Sequence, residues 1–125
     1  MVHRREACLA TSKQQVSTFL NEFKSLITRN CFQFVQRLET NKAAISLGLT
    51  NELAKREILN LSVVDYSSGP DADKVRPGDV WIFGKEINGC EVYIKLKIYV
   101  VGVTKYAKCI SFHEADYSLN HPFKT

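Results

Sequence analysis

At 125 residues, with 45% hydrophobic and 24% charged side chains, the chain holds enough apolar material for one domain whose core needs no disulfide or metal staple. No apolar run approaches the ~18 residues of a membrane helix, and the lead MVHRREACLATS lacks the apolar segment of a signal peptide, so a cytoplasmic protein without a membrane partner is expected. The net charge of +4 is too small to define a partner, but it is unevenly placed: acids gather at Asp65, Asp71, Asp73 and Asp79, whereas Lys85 to Lys108 holds five lysines against Glu86 and Glu91.

Residues 1–10 read as a flexible lead to a single domain spanning 1–125. Thr11 or Ser12 supplies a hydroxyl to cap a helix, and Val16, Phe19, Leu20, Phe23, Leu26 and Ile27 then recur at helical spacing, making one apolar stripe that ends near Asn30. The segment from Cys31 to Leu38 fits either a short strand or an irregular link. Asn41 to Leu47 reads as a short helix stopped by Gly48. Thr50 or Asn51 caps a further helix with Leu53, Ala54, Ile58 and Leu61 inward. Ser62 to Asp65 has the form of a capping box for one more turn, Ser67-Ser68-Gly69-Pro70 stops it, and GPDADKVRPG reads as a polar surface loop.

Three antiparallel strands follow, in DVWIFGKE, EVYIKLKIYVV and YAKCISFH. Asn88-Gly89 joins the first two, because a two-residue type I′ turn needs both central residues at positive φ. In the middle strand Val92, Ile94, Leu96 and Ile98 share one face, and Glu91, Tyr93, Lys95 and Lys97 the other. In the last strand Ile110 and Phe112 are assigned to the apolar face and Cys109, Ser111 and His113 to the opposite one. Tyr117, Leu119 and Phe123 of the tail are expected to fold back on the core. Helices first and an antiparallel sheet second make the fold class α+β, with N-terminal helices packed on a small antiparallel sheet.

Cys8, Cys31, Cys90 and Cys109 are dispersed with no CxxC pair, which points to free thiols and to neither a metal site nor a cofactor. No P-loop, GxSxG, HExxH or Rossmann glycine pattern is present. What remains is a basic sheet face carrying a phenol, an imidazole and amines, and that inventory suits RNA. Cleavage by a neighbouring 2′-hydroxyl needs a proton acceptor, a proton donor for the leaving 5′-oxygen, and cations for the developing phosphorane. His113 is the candidate acid or base, since histidine ordinarily titrates near working pH. Tyr93 orients phosphate or donates a proton, and Lys95 and Lys97 hold charge. Lys85 and Arg76 extend the RNA-binding surface, and Trp81 and Phe83 are candidates for base stacking beside their ordinary place in a core.

RPGDVWIFGKEINGCEVYIKLKI followed by KCISFHEADYSLNHPF resembles the MqsR-type toxins of bacterial type II toxin–antitoxin systems, and the likeness extends over about residues 16 to 123. The resemblance implies a RelE-like fold, mRNA endonuclease activity in the bacterial cytoplasm, and an oligomeric complex with a cognate antitoxin protein. Carried over by position, the tyrosine of the VYxK strand is Tyr93, its following lysine is Lys95, and the basic residue closing the last strand is His113. Two positions depart from the pattern: Asp65-Tyr66-Ser67-Ser68 lacks the family's lysine, and Ile82 stands where the family has glutamine. The leading expectation is a metal-independent mRNA interferase, acting on mRNA alone or on the ribosome. The alternative is a non-catalytic protein of the same fold that only binds an antitoxin or RNA.

Overall fold

A computed structural model describes residues 11–35 and 48–124. Over these residues the chain is α+β, with two helices and a five-stranded mixed sheet. Helix α1 (Lys13–Thr28) begins where expected: Gln15 N–H donates to the Ser12 hydroxyl at 3.2 Å, and the Gln15 side chain accepts from the Ser12 N–H at 2.7 Å. Its stripe of Val16, Phe19, Leu20, Phe23, Leu26 and Ile27 is buried throughout, and the helix ends as Asn30 turns to φ 62°.

Strand β1 (Phe32–Phe34) follows, which resolves the ambiguous segment in favour of a strand as far as Phe34. The helix expected over Asn41 to Leu47 lies outside the described residues. Helix α2 (Asn51–Leu59) is capped by the Thr50 hydroxyl, which accepts from Leu53 N–H at 3.2 Å. Ala54 and Ile58 are buried, but Leu53, expected inside, is 40% exposed. A single 3₁₀ turn (Val63–Asp65) uses the anticipated box, with Ser62 N–H donating to the Asp65 carboxylate at 2.9 Å.

The sheet departs from the expected three strands in two places. Strand β2 (Tyr66–Ala72) occupies what reads as a stop and a polar loop, and the loop proper shrinks to the residues between Ala72 and Asp79. Pro70 is tolerated because β2 is an edge strand, and the two register shifts in its pairing with the next strand take up the irregularity. Strands β3 (Asp79–Ile87), β4 (Cys90–Val101) and β5 (Thr104–Glu114) are antiparallel neighbours. The order is β1-β5-β4-β3-β2, and β1 runs parallel to β5, so the sheet is mixed rather than purely antiparallel.

The two helices cover one face. Phe19 stacks on Trp81 with ring centroids 4.4 Å apart, and Phe23, Phe83, Ile94, Leu96 and Phe112 are shut off from solvent. Side chains of this size contribute about 1.5–3 kcal/mol each on full burial, so this helix-side layer dominates stability. The tail crosses the other, open face. Ala115 N–H donates to the Glu91 carbonyl at 2.8 Å, Leu119 and His121 lie over Gly84, and Phe123 stacks on Tyr66 at 5.4 Å. A Cβ on Gly84 would stand 2.6 Å from Leu119 Cδ1 and 3.0 Å from His121 Cε1, so this glycine in a central strand is the space through which the tail passes. Gly84→Val should therefore lift the tail while the core stays closed. Hydrogen exchange checks this: amides of 115–124 should exchange faster in the variant, with those of α1 and β4 unchanged.

Candidate functional site

The open face is built by the pleat of β4 and by one irregularity in β5. Tyr93 and Lys95 alternate with the buried Val92, Ile94 and Leu96, as their spacing requires. Across the ladder Tyr93 is opposite His113 and Lys95 opposite Ser111, but the next pair is Leu96 with Cys109. Ile110 is thus an extra residue, a β-bulge, and the phase of β5 changes at it. Cys109 is therefore a core residue at 2% exposure, with its Sγ–H donating to the Ser111 carbonyl at 3.2 Å, while Ile110 turns to the open face. The alternation assigned from sequence, Ile110 inward and Cys109 outward, is reversed at those two positions.

The phenol and the imidazole come together. Their rings stack at a centroid distance of 5.1 Å and an interplanar angle of 15°. His113 Nδ1 lies 2.9 Å from the Glu114 carbonyl. A carbonyl only accepts, so Nδ1 carries the proton and the lone pair of the neutral ring is on Nε2. Burial raises the Tyr93 pKa above its ordinary value, helped by the nearby Tyr117 phenol, so Tyr93 is held as a proton donor at neutral pH.

Beside Tyr93 is an open cleft of about 660 Å³, and His113 stands behind the phenol, outside the cleft's lining. Val80, Ile82, Tyr93 and Lys95 lie on its sheet side, the loop after β2 brings Arg76, and the tail brings Tyr117 and Leu119. Lys95 makes no ion pair with any described residue. Lys108, which sequence reasoning passed over, also lines the cleft, because the bulge lets residues 108 and 113 share a face despite their odd separation. Its pKa is lowered by burial first, then by the charges of Lys97 and Arg76.

Four of the residues expected here are engaged in other contacts, three of them on the helix side. Lys97 does point to the open face, but it is 1% exposed and its ammonium sits 2.6 Å from Asp73 Oδ2. It anchors the β2–β3 loop and offers no charge to a ligand. Lys85 is opposite Val92, on the helix side, and pairs with Glu57 of α2 at 3.3 Å. Trp81 and Phe83 are opposite Leu96 and Ile94, and both belong to the aromatic packing against Phe19. For these three the register was legible, since a two-residue turn at Asn88-Gly89 pairs Ile87 with Cys90 and so fixes every residue before it.

His121 has a place as well. Its Nε2 is 2.8 Å from Glu91 Oε2, while Leu119 N–H donates to Glu91 Oε1 at 3.1 Å. The bond to His121 holds the Glu91 carboxyl below its usual pKa, which keeps this acid charged but tied to the tail. Among the described residues no helix is long and apolar enough to cross a membrane. No family model, curated protein or solved structure matches the chain.

The Asp73–Lys97 pair gives a pH test of the cleft's frame. The hydrogen bond from Lys97, followed by that from Val75 N–H, holds the Asp73 carboxyl far below its ordinary range. Folding thus lowers this pKa from the ~3.9 of an unfolded aspartate, so the stabilisation is complete above that value and is lost as pH falls through the lower, folded one. Thermal unfolding of wild type and Asp73→Asn should differ most above about pH 5, with the gap narrowing from about pH 4 downward.

Proposed function

We propose that the protein is an endoribonuclease toxin of the MqsR type, with a RelE-like fold, that cleaves mRNA by attack of a neighbouring 2′-hydroxyl. The observation that supports this is the stacked Tyr93–His113 pair, which puts a proton acceptor and a proton donor on one face with Lys95 along the same strand. His113 Nε2 takes the proton of the 2′-hydroxyl as O2′ bonds to phosphorus. The P–O5′ bond breaks, and Tyr93 gives its phenolic proton to the leaving O5′. A 2′,3′-cyclic phosphate and a 5′-hydroxyl result, and the imidazolium returns its proton through water to the tyrosinate. Lys95 stabilises the charge that builds on the phosphorane, and Lys108 and Arg76 hold phosphates further along the strand. The resemblance to MqsR-type toxins assigns Tyr93, Lys95 and His113 to the same centre, and carries with it neutralisation by an antitoxin partner.

Two observations favour the second reading, a protein that binds an antitoxin or RNA without chemistry. Lys97, counted among the phosphate ligands, is neutralised by Asp73, and Val80 and Ile82 give the cleft a partly apolar floor. The two readings differ in the effect of removing the imidazole. Incubated with total mRNA, wild type should yield fragments ending in 2′,3′-cyclic phosphate, and His113→Ala and Tyr93→Phe should each lower the cleavage rate about 100- to 10,000-fold while keeping the wild-type melting curve. Unchanged toxicity on expression of His113→Ala would transfer the assignment to binding alone.

A further inference from the structure

Past Lys97 and Lys108 on the same open face, a second pair of rings stands across the β4–β5 ladder. Tyr99 is opposite Tyr106, with centroids 5.7 Å apart and planes at 28°. Lys108 Nζ lies 4.9 Å from the centre of the Tyr99 ring, and Gln33 Nε2 donates to the Tyr99 hydroxyl at 3.5 Å. Beside the rings is a pocket of about 220 Å³ whose walls include Asn30, Cys31, Gln33, Tyr99 and Tyr106. A cross-strand aromatic pair stabilises a sheet by itself. That role needs neither two side-chain amides at the rim of an adjoining pocket nor an ammonium over the ring.

The two ring pairs are joined by a cationic path. The cleft at Tyr93 and the groove that reaches Tyr99 are neighbours on this face, with Val35, Arg76 and Lys108 lining both. Tyr99 is six residue steps along the strand from Tyr93, about 20 Å at ~3.3 Å per residue. At the ~3.4 Å spacing of stacked nucleotides that distance takes at most about six, and fewer when the bases are splayed.

We propose that the Tyr99–Tyr106 pair and its pocket form a base-binding subsite for single-stranded RNA. The strand's phosphates cross Lys108, Arg76 and Lys95 on their way to the Tyr93–His113 centre. Aromatic rings accept any base by stacking, and the Asn30 and Gln33 amides offer donor and acceptor groups to the edge of one. The subsite rests on the ribonuclease reading of that centre. It makes the substrate a stretch of unpaired strand several nucleotides long rather than a dinucleotide step.

The probes are a fluorescein-labelled, 2′-O-methylated hexaribonucleotide of random sequence and the matching dinucleotide, neither of which can be cut by 2′-attack. Wild type should bind the hexamer at least about tenfold more tightly than the dinucleotide. Tyr106→Ala should lose about tenfold in hexamer affinity and Tyr106→Phe should retain it. A second measurement needs no variant: a hexamer carrying 5-iodouridine, photocrosslinked to wild type and mapped by mass spectrometry, should label Tyr99 or Tyr106. Hexamer affinity unchanged in Tyr106→Ala, with crosslinks confined to Tyr93 and mRNA cleavage intact, would overturn the subsite and leave the catalytic reading standing. No binding of either probe and no cleavage of mRNA by wild type would overturn both.

Discussion

One extra residue in β5 decides what the open face can do. Without the bulge at Ile110, a strict two-residue alternation would place Lys108 with Phe112 and Cys109 with His113. One of the two faces would then hold a buried lysine, and the other would lose its second row of cations. With it, Lys108 pairs across from Lys97, Ser111 from Lys95 and His113 from Tyr93, while Ala107, Cys109 and Phe112 all reach the helix-side core. The hydrophobic demand of the core and the chemical demand of the open face are met by the same strand only because its phase changes once.

The face so built is framed from two sides. The tail crosses at Gly84, next to Tyr93 in the ladder, and is held there by Glu91 through His121 and the Leu119 amide. The loop after β2 is held from below by Lys97, whose burial is sustained by a charge partner at 2.6 Å. Tyr117 of the tail lines the same cleft as Tyr93, and burial followed by this neighbouring phenol raises the Tyr93 pKa above its ordinary value. A buried lysine and a tail with no motif of its own thus frame the face that carries the Tyr93–His113 pair.

The helices and the central hairpin could be read from the chain, because their signals are local: Ser12 with Gln15, the stripe from Val16 to Ile27, and Asn88-Gly89. The shared face of Tyr93 and Lys95 followed from alternation alone. Strand β2 was illegible because Ser67-Ser68-Gly69-Pro70-Asp71 has turn composition and is a strand only through its pairing with β3. The bulge left no local mark either, so Lys108 was missed and Cys109 misplaced. The fate of Lys97 depends on Asp73, twenty-four residues away, and no pattern along the chain connects them. The helix-side positions of Lys85 and Trp81 were within reach, since the hairpin register fixes them.

The central claim is that the open face of the sheet, and not the helix side or the exposed β4–β5 tip, is where RNA binds. Two-dimensional NMR of the labelled protein, titrated with the 2′-O-methylated hexaribonucleotide, tests it most directly. The account predicts that the resonances that move include those of Tyr93, Lys95, Lys108, Ser111 and His113 and extend to Tyr99 and Tyr106, with Lys85 and α2 silent. Perturbations gathered on α1, α2 and Lys85, or on Val100 to Val103 alone, would contradict it.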